Sequence, residues 1–155
     1  MEHTILSMRG RFHGLLSLTL VFVSVGIALI YLLKLSVALG VVYFAFIIIA
    51  MPVVLYSYCA KCTCRNDTCS HVFPGRLTRL LPARKPGPYS LMDYLGTALS
   101  LLALFGFPQL WLWRTKTVFI VFWIILTAAL VEILFLVCRA CKNQSCPLKG
   151  SAPKL

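Results

Sequence analysis

The sequence predicts an all-α integral membrane protein in which four transmembrane helices form two tandem helical hairpins, each followed by a cysteine-rich knuckle. The chain of 155 residues is 60% hydrophobic and only 12% charged, whereas about a quarter of a typical soluble domain is charged. It contains four apolar runs of the length that crosses a bilayer, about 20 residues each. Its seven cysteines fall into two groups, and each group begins where an apolar run ends.

The four apolar runs predict four helices with very short connections within each pair. Only Lys34 to Ser36 separate the first two runs, which predicts a tight hairpin, and Arg114 to Lys116 separate the last two. Pro52 and Pro108 fall near the ends of the second and third runs and predict kinks, because proline lacks the N–H that an α-helix needs. The runs extend over Leu15 to Leu33, Val37 to Tyr58, Leu91 to Trp111 and Val118 to Val137.

The first run resembles the start of a signal peptide, because Arg9 and Arg11 precede it. It is longer than the apolar core of a signal peptide, and it leads into the second run without a small-residue cleavage site. We therefore expect the first helix to be retained in the protein.

Charge predicts the orientation of the helices. With four spans, both termini and the long loop after the second span lie on one side, which carries twelve lysines and arginines, whereas the other side carries Lys34, Arg114 and Lys116. Short cytoplasmic loops carry the excess of these residues, so we expect both termini and both cysteine groups to face the cytoplasm, where thiols stay reduced. The net charge of +11 then reflects topology and attraction to anionic lipids.

The two cysteine groups predict an internal duplication. A shift of 77 residues places Cys64-Arg-Asn-Asp-Thr-Cys69 on Cys141-Lys-Asn-Gln-Ser-Cys146, and the same shift aligns the starts of the first and third spans. The first repeat covers residues 1–90, with a knuckle at 59–71 and a basic, proline-rich loop at 74–90. The second covers residues 91–155, with a knuckle at 138–146 and a short tail. Parallel repeats of this kind are related by a two-fold axis along the membrane normal.

The knuckles carry the residues of a soft metal site. Zinc takes four tetrahedral ligands, and a C-x-x-C pair supplies two of them from one turn. Cys59 with Cys62 and Cys138 with Cys141 are such pairs. Four further candidates bring the number of ligands to that of two tetrahedral sites, and the sequence leaves open which ligands share a site. The candidate ligands are Cys59, Cys62, Cys64, Cys69, His71, Cys138, Cys141 and Cys146. We expect structural zinc that staples the loops, because the free energy of metal binding contributes directly to folding.

Other uses of the same cysteines stay open. An iron–sulfur cluster takes thiolate ligands and would make the chain an electron-transfer or oxidoreductase component. Thiol–disulfide exchange or metal-ion handling is a third use, and palmitoylation of Cys59 and Cys138 a fourth. Lys61 and Arg139 each lie inside a C-x-x-C pair and would offset the negative charge of thiolates.

Two carboxylates in the spans are further candidates. Glu132 lies six residues before Cys138, and an ionisable residue inside a span is a functional candidate by default. Accepting protons and lining a path to the metal site stay open as its roles, and we expect it to pair with Arg139 or another cation. Asp93 lies in the first turn of the third span, where a carboxylate favours the helix dipole, so we expect it to cap the helix.

The remaining features predict a binding module and not a stand-alone enzyme. Arg76 and Arg79 alternate with leucines in the loop at 74–90, which is typical of an amphipathic turn on anionic lipid headgroups. The sequence contains no glycine-rich phosphate loop and no serine–histidine–aspartate set. We expect a membrane or cytoplasmic protein partner, or a homo-oligomer, and no nucleic-acid partner, since no basic segment is long enough to form such a domain.

Overall fold

The computed structural model describes residues 2–62, 77–82, 84–85 and 87–138, with only the backbone for residues 2–10 and Arg79. This part of the chain is entirely helical outside its turns and contains no strand. Its helices are α1 (Glu2–Leu35), α2 (Val37–Val54), α3 (Leu91–Leu101), α4 (Gln109–Leu112) and α5 (Lys116–Val131). Three π-helical segments extend them, π1 (Leu55–Cys59) after α2, π2 (Leu102–Gly106) after α3 and π3 (Glu132–Val137) after α5.

Four helical stretches are long and apolar enough to cross a membrane, as the sequence predicts. They are Arg11–Leu35, Val37–Cys59, Leu91–Leu112 and Lys116–Val137. Their ends agree with the predicted runs to within a few residues, and together they are consistent with a multi-pass membrane protein. Most of their large apolar side chains point outward, as expected where lipid is the solvent.

The predicted tight hairpin between the first two spans is confirmed. Only Ser36 separates α1 from α2, and it has an extended backbone with φ −163° and ψ 130°. Gly40 lies where α1 and α2 approach each other closely. A Cβ on this residue would overlap the Leu33 side chain and lie 3.0 Å from the Leu33 Cα. The close packing of α1 on α2 therefore requires glycine at this position.

The helices pack in the order α3, α2, α1, α5. Helix α1 packs against both α2 and α5, α2 packs against α3, and α4 contacts α5 beside their connecting turn. The core at the Ser36 end of the bundle contains Leu32, Tyr43, Leu112 and Phe122, all fully buried. The Tyr43 hydroxyl donates to the Leu104 carbonyl of π2 at 2.7 Å and so ties the second span to the third.

The π-helical segments lie beside the two prolines and at the bases of the knuckles. Pro52 precedes π1 by three residues, and Pro108 follows π2 by two, so the α-helical pattern is interrupted near both residues that were expected to kink the helices. Segment π1 packs against α3, and π3 packs against α1. Each predicted knuckle therefore follows a π-helical segment that packs against a helix of the other hairpin.

Candidate metal-binding knuckles and the charged clusters beneath them

The first knuckle begins as a single turn at the end of π1. Cys59 is the last residue of π1, and the Cys62 N–H donates to the Cys59 carbonyl at 3.2 Å. Both cysteines are half-buried. A C-x-x-C pair within one turn is the local arrangement from which two thiolates bind one metal ion.

Beneath this turn lies a buried carboxylate bound by two cations. Asp93, in the first turn of α3, is only 2% exposed. Its Oδ2 accepts from the Lys61 ammonium group at 2.6 Å, and its Oδ1 accepts from the Arg84 guanidinium at 2.6 Å. It also accepts from the Ser90 N–H at 2.8 Å and from the Ser90 hydroxyl at 2.9 Å. Asp93 therefore caps α3, as predicted, and is in addition the centre of an ion-pair cluster.

The Asp93 cluster joins three separate segments at this end of the bundle. Lys61 belongs to the C-x-x-C turn and also donates to the Pro88 carbonyl at 3.2 Å. Arg84 belongs to the following loop; it donates to the Tyr56 carbonyl in π1 at 3.4 Å and lies 4.8 Å from the centre of the Tyr56 ring. The carboxylate thus holds the knuckle, the loop and α3 together.

Two tyrosines reinforce the same junction. The rings of Tyr58 and Tyr89 stack with centroids 4.7 Å apart, and the Tyr89 hydroxyl donates to the Tyr58 carbonyl at 3.4 Å. Close by, Gly96 of α3 faces the Ser57 hydroxyl, which would lie 3.1 Å from a Cβ at this position. The absence of a side chain at Gly96 lets π1 and α3 approach closely.

The base of the second knuckle has an ion pair of its own. Glu132, the first residue of π3, accepts from His13 Nδ1 across a distance of 2.9 Å. The two side chains are 21% and 24% exposed, and Cys138 immediately after π3 is buried. Among the described residues, the partner of Glu132 is thus the imidazole of His13 on the first helix, which was not identified from the sequence.

The described residues contain no group of three or more histidine, cysteine, aspartate or glutamate side chains placed to hold a metal ion. In particular, Cys138 does not join Cys59 and Cys62 in such a group. The other predicted ligands lie outside the described residues; they are Cys64, Cys69, His71, Cys141 and Cys146. Arg76 also lies outside them, and only the backbone of Arg79 is described.

Sequence reasoning missed the roles of three residues in these clusters. Lys61 was expected to offset thiolate charge, but its ammonium group is bound to Asp93. Arg84 was considered only as part of a positive loop, and His13 was not considered. The available signal was a lone carboxylate at the start of an apolar helix, since a buried charge requires a partner and both cations lie in the preceding 32 residues.

Comparison of the chain with protein-family models, with curated proteins and with solved structures gives no match. The function of the two knuckles is therefore inferred from their residues and from the clusters beneath them.

Proposed function

We propose that this protein is a non-catalytic, multi-pass membrane module whose cysteine knuckles bind metal ions at the cytoplasmic face and dock a protein partner. The observation that carries the proposal is the Cys59–Cys62 turn, which is anchored to the membrane helices through Lys61 and Asp93. Fixing a chelating turn in advance reduces the conformational entropy lost on binding. Zinc is the metal that this ligand chemistry favours.

The ligand chemistry supports a metal site within the first knuckle. Cys59 and Cys62 would supply two ligands, and Cys64, Cys69 and His71 follow within nine residues. This knuckle offers one candidate more than a tetrahedral site needs. The second knuckle offers three, Cys138, Cys141 and Cys146, so the surplus ligand of the first would complete a second site.

The positions of the π-helical segments support the duplication of a hairpin unit. Segment π1 begins at Leu55 and π3 at Glu132, a difference of 132 − 55 = 77 residues, which equals the shift that aligns the two knuckles. Each segment packs against the first helix of the other hairpin, as a two-fold axis along the membrane normal would require. On this proposal the two knuckles are related sites.

Charge supports a cytoplasmic location of the knuckles. The predicted knuckle side carries twelve lysines and arginines, and the other side carries three. This distribution follows the positive-inside rule. The short helical turn Thr78–Leu80 contains Arg79, and in it Thr78 is fully buried and Leu80 is 82% exposed. Such a turn beside π1 supports contact of this loop with the lipid interface, where Arg76 and Arg79 would bind anionic headgroups.

Metal analysis of the purified full-length protein tests the proposal. We expect a colourless protein with bound zinc, lost when Cys59 and Cys62 are both changed to serine and retained when Ser57 is changed to alanine as a matched control. A brown protein with broad visible absorption and bound iron would contradict the zinc assignment and identify an electron-transfer subunit. A protein without metal that forms mixed disulfides at its C-x-x-C cysteines would identify thiol exchange.

A further inference from the structure

We infer that Asp93 is a positioning residue that couples the first knuckle to the packing of α3 on α2, so that metal binding and helix closure stabilise each other. The inference rests on the proposed metal site at Cys59 and Cys62, and it adds a mechanism by which events at the knuckle reach the membrane helices. It is carried by one juxtaposition: Lys61 lies inside the C-x-x-C turn, and its ammonium group is bound to a carboxylate of another helix.

The contact between Lys61 and Asp93 is placed to transmit a movement of the C-x-x-C turn to α3. Lys61 lies between the two candidate ligands, so its backbone moves with them. Its side chain is 13% exposed, and that of Asp93 is 3% exposed. An ion pair shielded from water in this way is short and directional and is costly to break. A shift of the turn would therefore either move α3 or break the pair.

Each component of the contact is separately anchored. The Lys61 ammonium group is held by both Asp93 and the Pro88 carbonyl. Asp93 is fixed by Ser90 and by Arg84, which do not belong to the turn. Because Arg84 pairs with Asp93 independently, removal of Lys61 leaves the carboxylate with a cation and leaves α3 capped. The coupling can therefore be removed without removing the cluster.

The coupling is favourable and reciprocal. If closure of α3 on α2 holds Lys61 in place, it favours the arrangement of Cys59 and Cys62 that binds metal. By linkage, metal binding must favour closure by the same free energy. Loss of residues that orient metal ligands typically weakens metal affinity by about 10- to 100-fold. We expect a loss on the order of tenfold here, because Lys61 orients the turn and not a ligand directly.

The experiment uses the full-length protein in lipid nanodiscs. Alkylation of Cys59 and Cys62 is followed by mass spectrometry at chelator-buffered zinc concentrations. Lys61→Met should raise the zinc concentration for half-protection about tenfold, whereas Lys61→Arg should retain parental protection. Lys85→Met is the matched control, since Lys85 is an exposed cation of the same loop, and it should change protection little. Asp93→Asn should behave like Lys61→Met if it folds.

Hydrogen exchange supplies the reciprocal measurement. Zinc should slow amide exchange in the first turns of α3 in the parent and have no such effect in Lys61→Met, while exchange in α5 stays equal in both and confirms folding. Equal zinc protection in the parent and Lys61→Met would overturn the coupling and leave the metal site standing. Absence of zinc protection in the parent would overturn the metal site and the coupling together.

Discussion

At the scale of single residues, Lys61 differs from the basic residue in the second C-x-x-C pair. Its ammonium group is bound to Asp93, which it shares with Arg84, so its side chain is held at the start of α3. In the second pair the basic residue is Arg139, which directly follows Cys138, and Ala140 occupies the place that corresponds to Lys61. The two knuckles therefore share a spacing of cysteines, while the lysine of the first is used for anchoring.

Replacement of Asp93 should destabilise the protein strongly. Asp93→Ala leaves Lys61 and Arg84 partly buried without their carboxylate, and removal of one partner from a buried pair costs about 3–5 kcal/mol. We expect a decrease near the lower end of this range in the free energy of unfolding, about 3 kcal/mol, measured by denaturant titration in detergent. Lys85→Ala is the control, since Lys85 is an exposed cation of the same loop, and it should be neutral. A parental stability for Asp93→Ala would contradict this role.

The pair of His13 with Glu132 should show a smaller, measurable coupling. About a fifth to a quarter of each side chain is exposed to solvent, so solvent screens the interaction more than at Asp93. A double-mutant cycle with His13→Ala and Glu132→Gln should give an interaction free energy on the order of 1 kcal/mol. Additive effects of the two substitutions would show that the two residues are adjacent without stabilising each other.

At the scale of elements, the sequence predicts the spans well because hydropathy adds up over some 20 residues. The break at Lys34 to Ser36 is equally clear, and the structure confirms it with Ser36 as the connection. The sequence does not, however, indicate which face each helix buries. α2 and α5 are apolar on all sides, so no periodicity indicates which residues face the core, and Tyr43 and Phe122 are buried among many similar side chains.

The ion pairs could not be derived for the same reason. His13 and Glu132 are separated by 119 residues, and their meeting depends on which helices are neighbours and on how each is rotated. The sequence could therefore predict that Glu132 needs a partner, but not that this partner is His13.

Gly40 and Gly26 provide a matched test of the first hairpin. Gly40→Ala places a Cβ against Leu33, including its backbone, whereas a Cβ at Gly26 has nothing within 4 Å. We expect Gly40→Ala to lower the free energy of unfolding by about 1–3 kcal/mol through overpacking. Gly26→Ala should be neutral or stabilising by up to about 1 kcal/mol, because alanine favours helix over glycine. Equal effects of the two substitutions would contradict the close approach at Gly40.

At the scale of the whole molecule, α1 makes the largest share of the contacts between the two hairpins. Helix α1 contacts both α2 and α5 along the bundle, whereas within the described residues the third and fourth spans meet substantially only through α4 and α5 near their turn. Both knuckle bases, at Cys59 and Cys138, lie at the end opposite Ser36. The two candidate sites therefore lie at the same end of the described bundle.

Thiol labelling tests which side of the membrane that end faces. In intact cells, a membrane-impermeant maleimide should leave all native cysteines unlabelled, and permeabilisation with a chelator present should allow labelling. The variant Arg114→Cys places a thiol at an exposed turn on the other side and should react without permeabilisation. This expectation follows from the distribution of positive charge. Labelling of native cysteines in intact cells would reverse the topology.

The single-residue connection at Ser36 has a consequence for biosynthesis. With no loop between α1 and α2, the ribosome delivers the two spans as one continuous apolar segment of about 45 residues. A helix of that length would be about 68 Å long, more than twice the thickness of the hydrocarbon core. For both helices to cross the bilayer, the segment must therefore fold back on itself at Ser36, and Gly40 must come to lie against Leu33. Substitutions at this bend are expected to reduce the yield of inserted protein even where the finished bundle tolerates them.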